Sequence, residues 1–265
     1  MAADLARLPL RLRRLADVLW SPTFSSLESA QAQIRNQYRE EADVSRYRND
    51  WSKGLIEPER QLIQSALSSQ ATVPEGIRGQ ALRAWVIGCG TGREVFALEE
   101  MGVIALGADT SPEMIQRARK AGESIGSKAR FVTGSFPEAP MDPPHLIHLT
   151  VHLANQIPGR ASRVSLFREL RRRAFGQTLL TGHVAIRDPD AVDRTYWSSQ
   201  VLRLRAWYSG WVWEPGDMAT ASLGRGAKME MFHHYPDRDA FAAELRDGGW
   251  ELASISSGFF RARAR

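Results

Sequence analysis

The sequence predicts an α/β protein built on a parallel sheet, and three observations carry that prediction. From residue 81 onward, short apolar runs alternate with windows of helical periodicity, the pattern of a repeated strand-helix unit. The first of those runs ends in the glycine-rich turn Gly88-Cys89-Gly90-Thr91-Gly92, with a helical window directly after it. The second run ends at Asp109, about 20 residues beyond the turn, where α/β nucleotide binders place an acid. A chain of 265 residues that is 43% hydrophobic and 25% charged can bury one large core, which excludes a disordered or fibrous protein. No segment reaches the roughly 18 consecutive apolar residues needed to cross a bilayer, so no membrane partner is expected.

Residues 1–80 read as an N-terminal helical cap. Leu5, Leu8, Leu12, Leu15 and Leu19 recur at helical spacing, and the stretch breaks at Ser21-Pro22. A second, mostly polar helix is expected over 26–47, a third opens at Glu57-Pro58 with Leu62, Ile63 and Leu67, and 68–79 reads as a linker. The main domain, 81–265, is expected to hold strands at 82–88, 103–108, 129–133, 146–151, 177–186, 251–256 and 259–263. Helices are expected between them at 93–101, 112–122, 161–174 and 239–248. An insertion at 188–235 interrupts the alternation and carries Trp197, Trp207, Trp211 and Trp213, four of the eight tryptophans.

Glycine suits a strand-to-helix turn that needs positive φ and a ligand lying against bare backbone. A dinucleotide fingerprint needs a further glycine where Arg93 stands, so a pyrophosphate docked on the helix amides is not expected. Asp109 can accept from both hydroxyls of a ribose. Ser111, Pro112 and Glu113 form a helix start, with a hydroxyl cap, proline at the first helical position and an early acid.

Residues 85–122, with Ile87-Gly88-Cys89-Gly90-Thr91-Gly92-Arg93-Glu94 and Gly107-Ala108-Asp109-Thr110-Ser111-Pro112-Glu113-Met114, resemble the class I S-adenosylmethionine-dependent methyltransferases. The likeness extends more loosely through Phe131 to Ser135, the fourth strand and residues 163–180. The segment with Tyr47, Trp51, Gly54, Leu55 and Glu59 resembles an upstream piece of bacterial small-molecule members. The resemblance implies a Rossmann-like, seven-stranded, mostly parallel sheet with N-terminal helices and a lid inserted after strand 5. It implies S-adenosyl-L-methionine as cofactor, with Gly88, Gly90 and Gly92 along the methionine and ribose, Asp109 on the ribose and Met114 beside the adenine. Cys89, Thr91, Thr110, Gly134, Ser135, Phe136 and Thr150 complete the implied cofactor set. Three positions depart from the family pattern: Ser135 after Gly134 where an aspartate is usual, Pro144-His145 in place of Phe-Asp, and a single glycine in Ala174-Phe175-Gly176-Gln177. These departures leave open a domain that binds the cofactor without catalysis.

The reaction expected is methylation of a small molecule, foremost on a hydroxyl, with methylation of RNA or protein as the alternative. Histidine suits removal of the acceptor's proton; the candidates are His233 or His234, of which an extended chain can aim only one into a site, then His152 beyond the fourth strand. His145 and His148 are expected to be structural, and His148 and His152, about 13 Å apart along a strand, do not make a metal site. Trp51 and the insertion's Tyr196, Trp207, Trp211 and Trp213 are candidate substrate contacts, with core packing as the competing role. The net charge of +5 is spread along the chain, not gathered in a stripe, so a nucleic-acid partner is not expected. The single cysteine, Cys89, cannot form an intrachain disulfide, which suits a reducing cytoplasm. No motif speaks to oligomeric state.

Overall fold

The structure, a computed structural model, describes residues 10–36, 50–70, 81–137, 143–174, 177–187, 196–209, 211–221 and 229–265. Its centre is a seven-stranded sheet of β1 (Arg83–Ile87), β2 (Ile104–Asp109), β3 (Arg130–Thr133), β4 (Leu146–Leu149), β5 (Leu179–His183), β8 (Trp250–Ser256) and β9 (Phe259–Ala264), in the order β3-β2-β1-β4-β5-β9-β8. The first five pair in parallel and β9 runs antiparallel to both neighbours. The chain order reverses between β1 and β4, and at such a switch point the strand ends diverge and leave a crevice for a ligand.

Strands β1 and β4 are buried almost throughout because helices cover both sheet faces. On one face α3 (Glu57–Gln70), α4 (Arg93–Glu100) and α5 (Pro112–Ile125) bury Ile63, Phe96, Leu98 and Ile115 against Val86 and Leu146. On the other, α6 (Arg160–Arg173) and α8 (Arg238–Asp247) bury Phe167, Leu170, Phe241 and Leu245 against Ile147 and Trp250. The expected start of α5 is present, with Ser111 Oγ accepting from Met114 N at 3.2 Å and Pro112 in the first turn.

The segment before β1 is not one cap. Helix α3 packs across β5 and β9 and belongs to the sheet's core. In contrast, α1 (Leu10–Trp20), the short turn Pro22–Phe24 and α2 (Leu27–Asn36) pack with the insertion. Val18, Phe24 and Ala30 share a separate apolar cluster with Leu202 and Ala206 of α7 (Tyr196–Ser209), Trp211, Ala219 of β6 (Asp217–Ala221) and Phe232 of β7 (Met229–His234). The antiparallel hairpin β6-β7 was not anticipated within the insertion. The second helix ends at Asn36 among the described residues, so the rest of its expected span and most of the linker, 71–79, fall outside them. No helix among the described residues is long and apolar enough to cross a membrane.

Candidate active site

A cleft of about 710 Å³ lies over the carboxyl ends of β1, β2 and β4, lined by the glycine turn, Asp109, Thr150 and His152 on the sheet side and by Met231, His233 and Tyr235 on the lid side. The turn is held from two directions. Gly88 N and Cys89 N donate to Ala108 O at 2.8 and 3.1 Å, and Thr150 Oγ1 donates to Gly88 O at 2.8 Å. A Cβ on Gly92, at φ +97, would stand 2.8 Å from the Phe96 ring, so the turn meets α4 only as glycine. Gly90, also at positive φ, has nothing within 4 Å of where its Cβ would be, and its bare backbone faces open space.

Asp109 reaches across to the turn. Its Oδ2 accepts from Gly90 N at 2.9 Å and its Oδ1 from Ser111 N at 2.8 Å. Each oxygen keeps a lone pair for a ligand hydroxyl. Burial pushes the carboxyl above its ordinary range, and the backbone N–H groups of Ser111, Gly90 and Thr110 oppose that shift. Cys89 and Thr91 are buried within the turn, and burial, with the charges of Asp109 and Glu94, raises the thiol well above its usual value. Such a thiol is inert as a nucleophile. Thr110, Met114, Gly134 and Ser135 also line the cleft. Phe136 does not; it packs on the core and lies beneath the Arg173 guanidinium at 5.2 Å, which corrects its assignment to the cofactor.

Of the histidine pair, only His233 faces the cleft. The hairpin register sets Asp217 opposite His234, whose Nδ1 lies 2.7 Å from Asp217 Oδ1 in a buried pair, so His234 is removed as a candidate base. His233 Nδ1 sits 2.8 Å from Thr220 Oγ1, and its ring faces that of His152, centroids 6.4 Å apart. Burial, helped by the charge of His152, lowers the His233 pKa to about 4. His145 and His148 are structural as expected: His145 Nδ1 accepts from Arg83 N at 3.1 Å, and His148 is buried between Thr181 and Glu59.

The aromatic contacts expected for the substrate lie elsewhere. Trp51 packs edge-on against Phe96 at 6.1 Å in the sheet's core. Trp211 is buried between Phe24 and Phe232, and Trp213 lies under the Arg203 guanidinium. Trp207 is 83% exposed and touches no part of the cleft. The Tyr196 side chain lies outside the described residues. The insertion is a small layer that must bury something of its own, and Trp211 and Trp213 do that.

Sequence reasoning missed the ion network at the start of α4. Arg93 reaches Glu59 Oε2 at 3.1 Å, Glu94 Oε1 at 2.5 Å and Gly54 O at 3.2 Å, and Glu59 Oε1 lies 3.4 Å from His148 Nε2. The residue that breaks the dinucleotide pattern thus ties the glycine turn to the segment before α3. Burial raises the Glu59 carboxyl, but the hydrogen bond and charge of His148 and the charge of Arg93 outweigh it, and the net shift is downward. Glu94 shifts upward because burial dominates there. Lys53, Gly54 and Ile56 also line the cleft; Gly54 belongs to the upstream segment that carried the resemblance, and the only signal for Lys53 and Ile56 was their place within it. Glu214, His234 and Glu244 lie close enough together to suggest a cation site, but the cation there is the buried Arg163 guanidinium, 2.6 Å from Glu244 and paired also to Glu214.

The profile of a methyltransferase-domain family matches residues 86–174. A comparison with curated protein sequences returned no match. Among solved structures, a SAM-dependent methyltransferase from Methanosarcina mazei is similar at 17% identity and a TM-score of 0.53, over 72% of this chain and 98% of that one. Magnesium protoporphyrin IX methyltransferase from Synechocystis, with bound SAM, is similar at 12% identity and 0.54, over 89% and 97%. Human N-acetylserotonin methyltransferase, in complex with SAM, is similar at 14% identity and 0.59, over 98% and 68%. These likenesses establish a shared fold. With the family match over the glycine turn and Asp109, residues 86–174 are a methyltransferase domain on the class I S-adenosylmethionine-dependent fold, and S-adenosylmethionine is the methyl donor.

Proposed function

We propose that this methyltransferase methylates a hydroxyl of an uncharged small molecule held beneath the lid, with His152 taking the proton. The observation that carries the reading is the placement of His152 and His233 in one cleft with the glycine turn and Asp109. The charged residues of the lining are Lys53, Arg93, Glu94 and Asp109, which come from the start of α4, the end of β2 and the segment bonded to Arg93. Elsewhere the lining is neutral, with Ile34, Ile157, Met231 and Tyr235 among its members, and suits an acceptor without charge.

The residues present fit the cofactor: Gly90 leaves its backbone open, Asp109 keeps lone pairs for a ribose, and Met114 and Ser135, which the resemblance sets beside the adenine, line the same cleft. Bound there, S-adenosylmethionine supplies an electrophilic methyl group and a neutral thioether as leaving group. The chain's own part is alignment and proton removal. As the acceptor oxygen gains its bond to the methyl carbon, His152 takes the hydroxyl proton. His233, held near 4, accepts a proton poorly at neutral pH, so it orients the acceptor as a neutral ring. This reverses the order expected between the two histidines.

The test is transfer of labelled methyl to a panel of phenols and aliphatic alcohols. The reading expects a labelled small-molecule product and a loss of about 10² to 10⁴ in rate for His152→Gln. Label appearing only in RNA or protein, or none at all from enzyme that binds the cofactor, would refute it.

A further inference from the structure

We infer that Asn155 is a positioning residue that fixes His152 as the Nδ1–H tautomer and joins that tautomer to the neck of the lid. The inference rests on the reading of His152 as the base. Asn155 lies in the short turn Ala154–Gln156 after β4 and is fully buried. Its Nδ2 donates to Ala185 O at 3.0 Å and to His234 O at 2.7 Å, which uses both amide hydrogens. Its Oδ1 accepts from Ala185 N at 2.9 Å. The amide orientation is therefore determined, because a flipped group would set its oxygen against two carbonyls.

The consequence falls on His152, whose Nδ1 lies 3.4 Å from Asn155 Oδ1. That oxygen can only accept, so Nδ1 carries the proton and Nε2 presents a lone pair, as a base requires. Contacts of this kind are often long before substrate binds and tighten in the reactive complex. His152 also holds a left-handed backbone, φ 64, which a non-glycine residue adopts only when its surroundings enforce it. Two further histidine rings adjoin it, His183 edge-on at 4.9 Å and His233 at 6.4 Å.

Ala185 lies where the chain leaves β5 for the insertion, and His234 is the last residue of β7, where it returns. One buried amide thus bonds both sides of the insertion's neck and the base together. A shift of the lid relative to the sheet would break bonds at Asn155 and release the tautomer of His152.

The test is a long-range proton–nitrogen NMR correlation on full-length protein labelled in its histidines, with the His152 signals assigned by their loss in His152→Gln. The inference expects Nδ1–H with unprotonated Nε2 in the native protein. In Asn155→Ala that shares the native fold by circular dichroism, it expects Nε2–H to appear, with kcat down about tenfold, short of the 10² to 10⁴ lost with the base itself, and KM for the cofactor within about twofold. A native protein with His152 in the Nε2–H form overturns the inference whether or not the variant folds. An unchanged tautomer in folded Asn155→Ala overturns it as well. Undiminished turnover in His152→Gln instead refutes the base assignment, and the native spectrum still decides the tautomer.

Discussion

Replacing Glu59 with alanine tests whether the network around Arg93 supports the site. The carboxylate is fully buried, facing Arg93, whose side chain is 15% exposed, and His148, which is 1% exposed. Alanine would remove one carboxylate from both, leaving the guanidinium with Glu94 and Gly54 O and the buried imidazole with Thr181. Breaking one side of a buried pair costs about 3–5 kcal/mol, which for a chain of this size lowers Tm by roughly 6–20 °C. Because Arg93 heads the helix after the glycine turn and also donates to Gly54 O, cofactor affinity should fall as well. Differential scanning calorimetry of the variant at pH 7 is the assay. The pH dependence adds a second reading. The folded Glu59 carboxyl lies below its ordinary value, so its contribution is complete above the unfolded pKa and is lost as pH falls through the folded one. The gap between native protein and Glu59→Ala should therefore narrow on acidification below the usual carboxylate range. A Glu59→Ala protein within 1 kcal/mol of the native at pH 7 would refute the reasoning.

Gly92→Ala should destabilise by roughly 2–5 kcal/mol, since it adds a left-handed alanine to a clash with Phe96 and Phe131; chemical denaturation measures it. Trp211→Ala, which empties the lid's core, should cost about 3–5 kcal/mol. Trp207→Ala should stay within about 0.5 kcal/mol and leave turnover unchanged, and a turnover defect there would restore it as a substrate contact. His233 and His183 both titrate near 4 when folded, so the native state binds fewer protons than the unfolded state between about 6.5 and 4, and stability falls as pH drops through that window. His233→Gln should flatten that slope by up to about 1.4 kcal/mol per pH unit, and an unaltered slope would contradict the shift.

The strands and helices of the sheet were legible because each is a short apolar run bounded by turn residues, and the observed β1, Arg83–Ile87, and α5, Pro112–Ile125, differ from expectation by a few residues at their ends. Asp109 was legible for the same reason: strand order and chain spacing alone bring it to the turn. The lid was not. Trp211 owes part of its burial to Phe24, more than half the chain away, and no local periodicity reports such a partner. Alternation said that at most one of His233 and His234 faces the cleft, but the pairing of Asp217 with His234 decides which, and that register belongs to the hairpin as a whole. Arg93 was read only as a missing glycine, because Glu59 and His148, its partner and that partner's neighbour, lie on elements distant in sequence.

The most direct test of the account is calorimetric titration of the protein and of Asp109→Ala with S-adenosylhomocysteine and with NAD. The site built from the glycine turn and Asp109 predicts one S-adenosylhomocysteine bound per chain and no heat from NAD, because Arg93 stands where a dinucleotide needs glycine. Asp109→Ala should weaken binding by about 1.5–3 kcal/mol, roughly 10- to 150-fold, the range for hydrogen bonds to a charged group. A folded Asp109→Ala protein with native affinity, or NAD competing for the cleft, would contradict it.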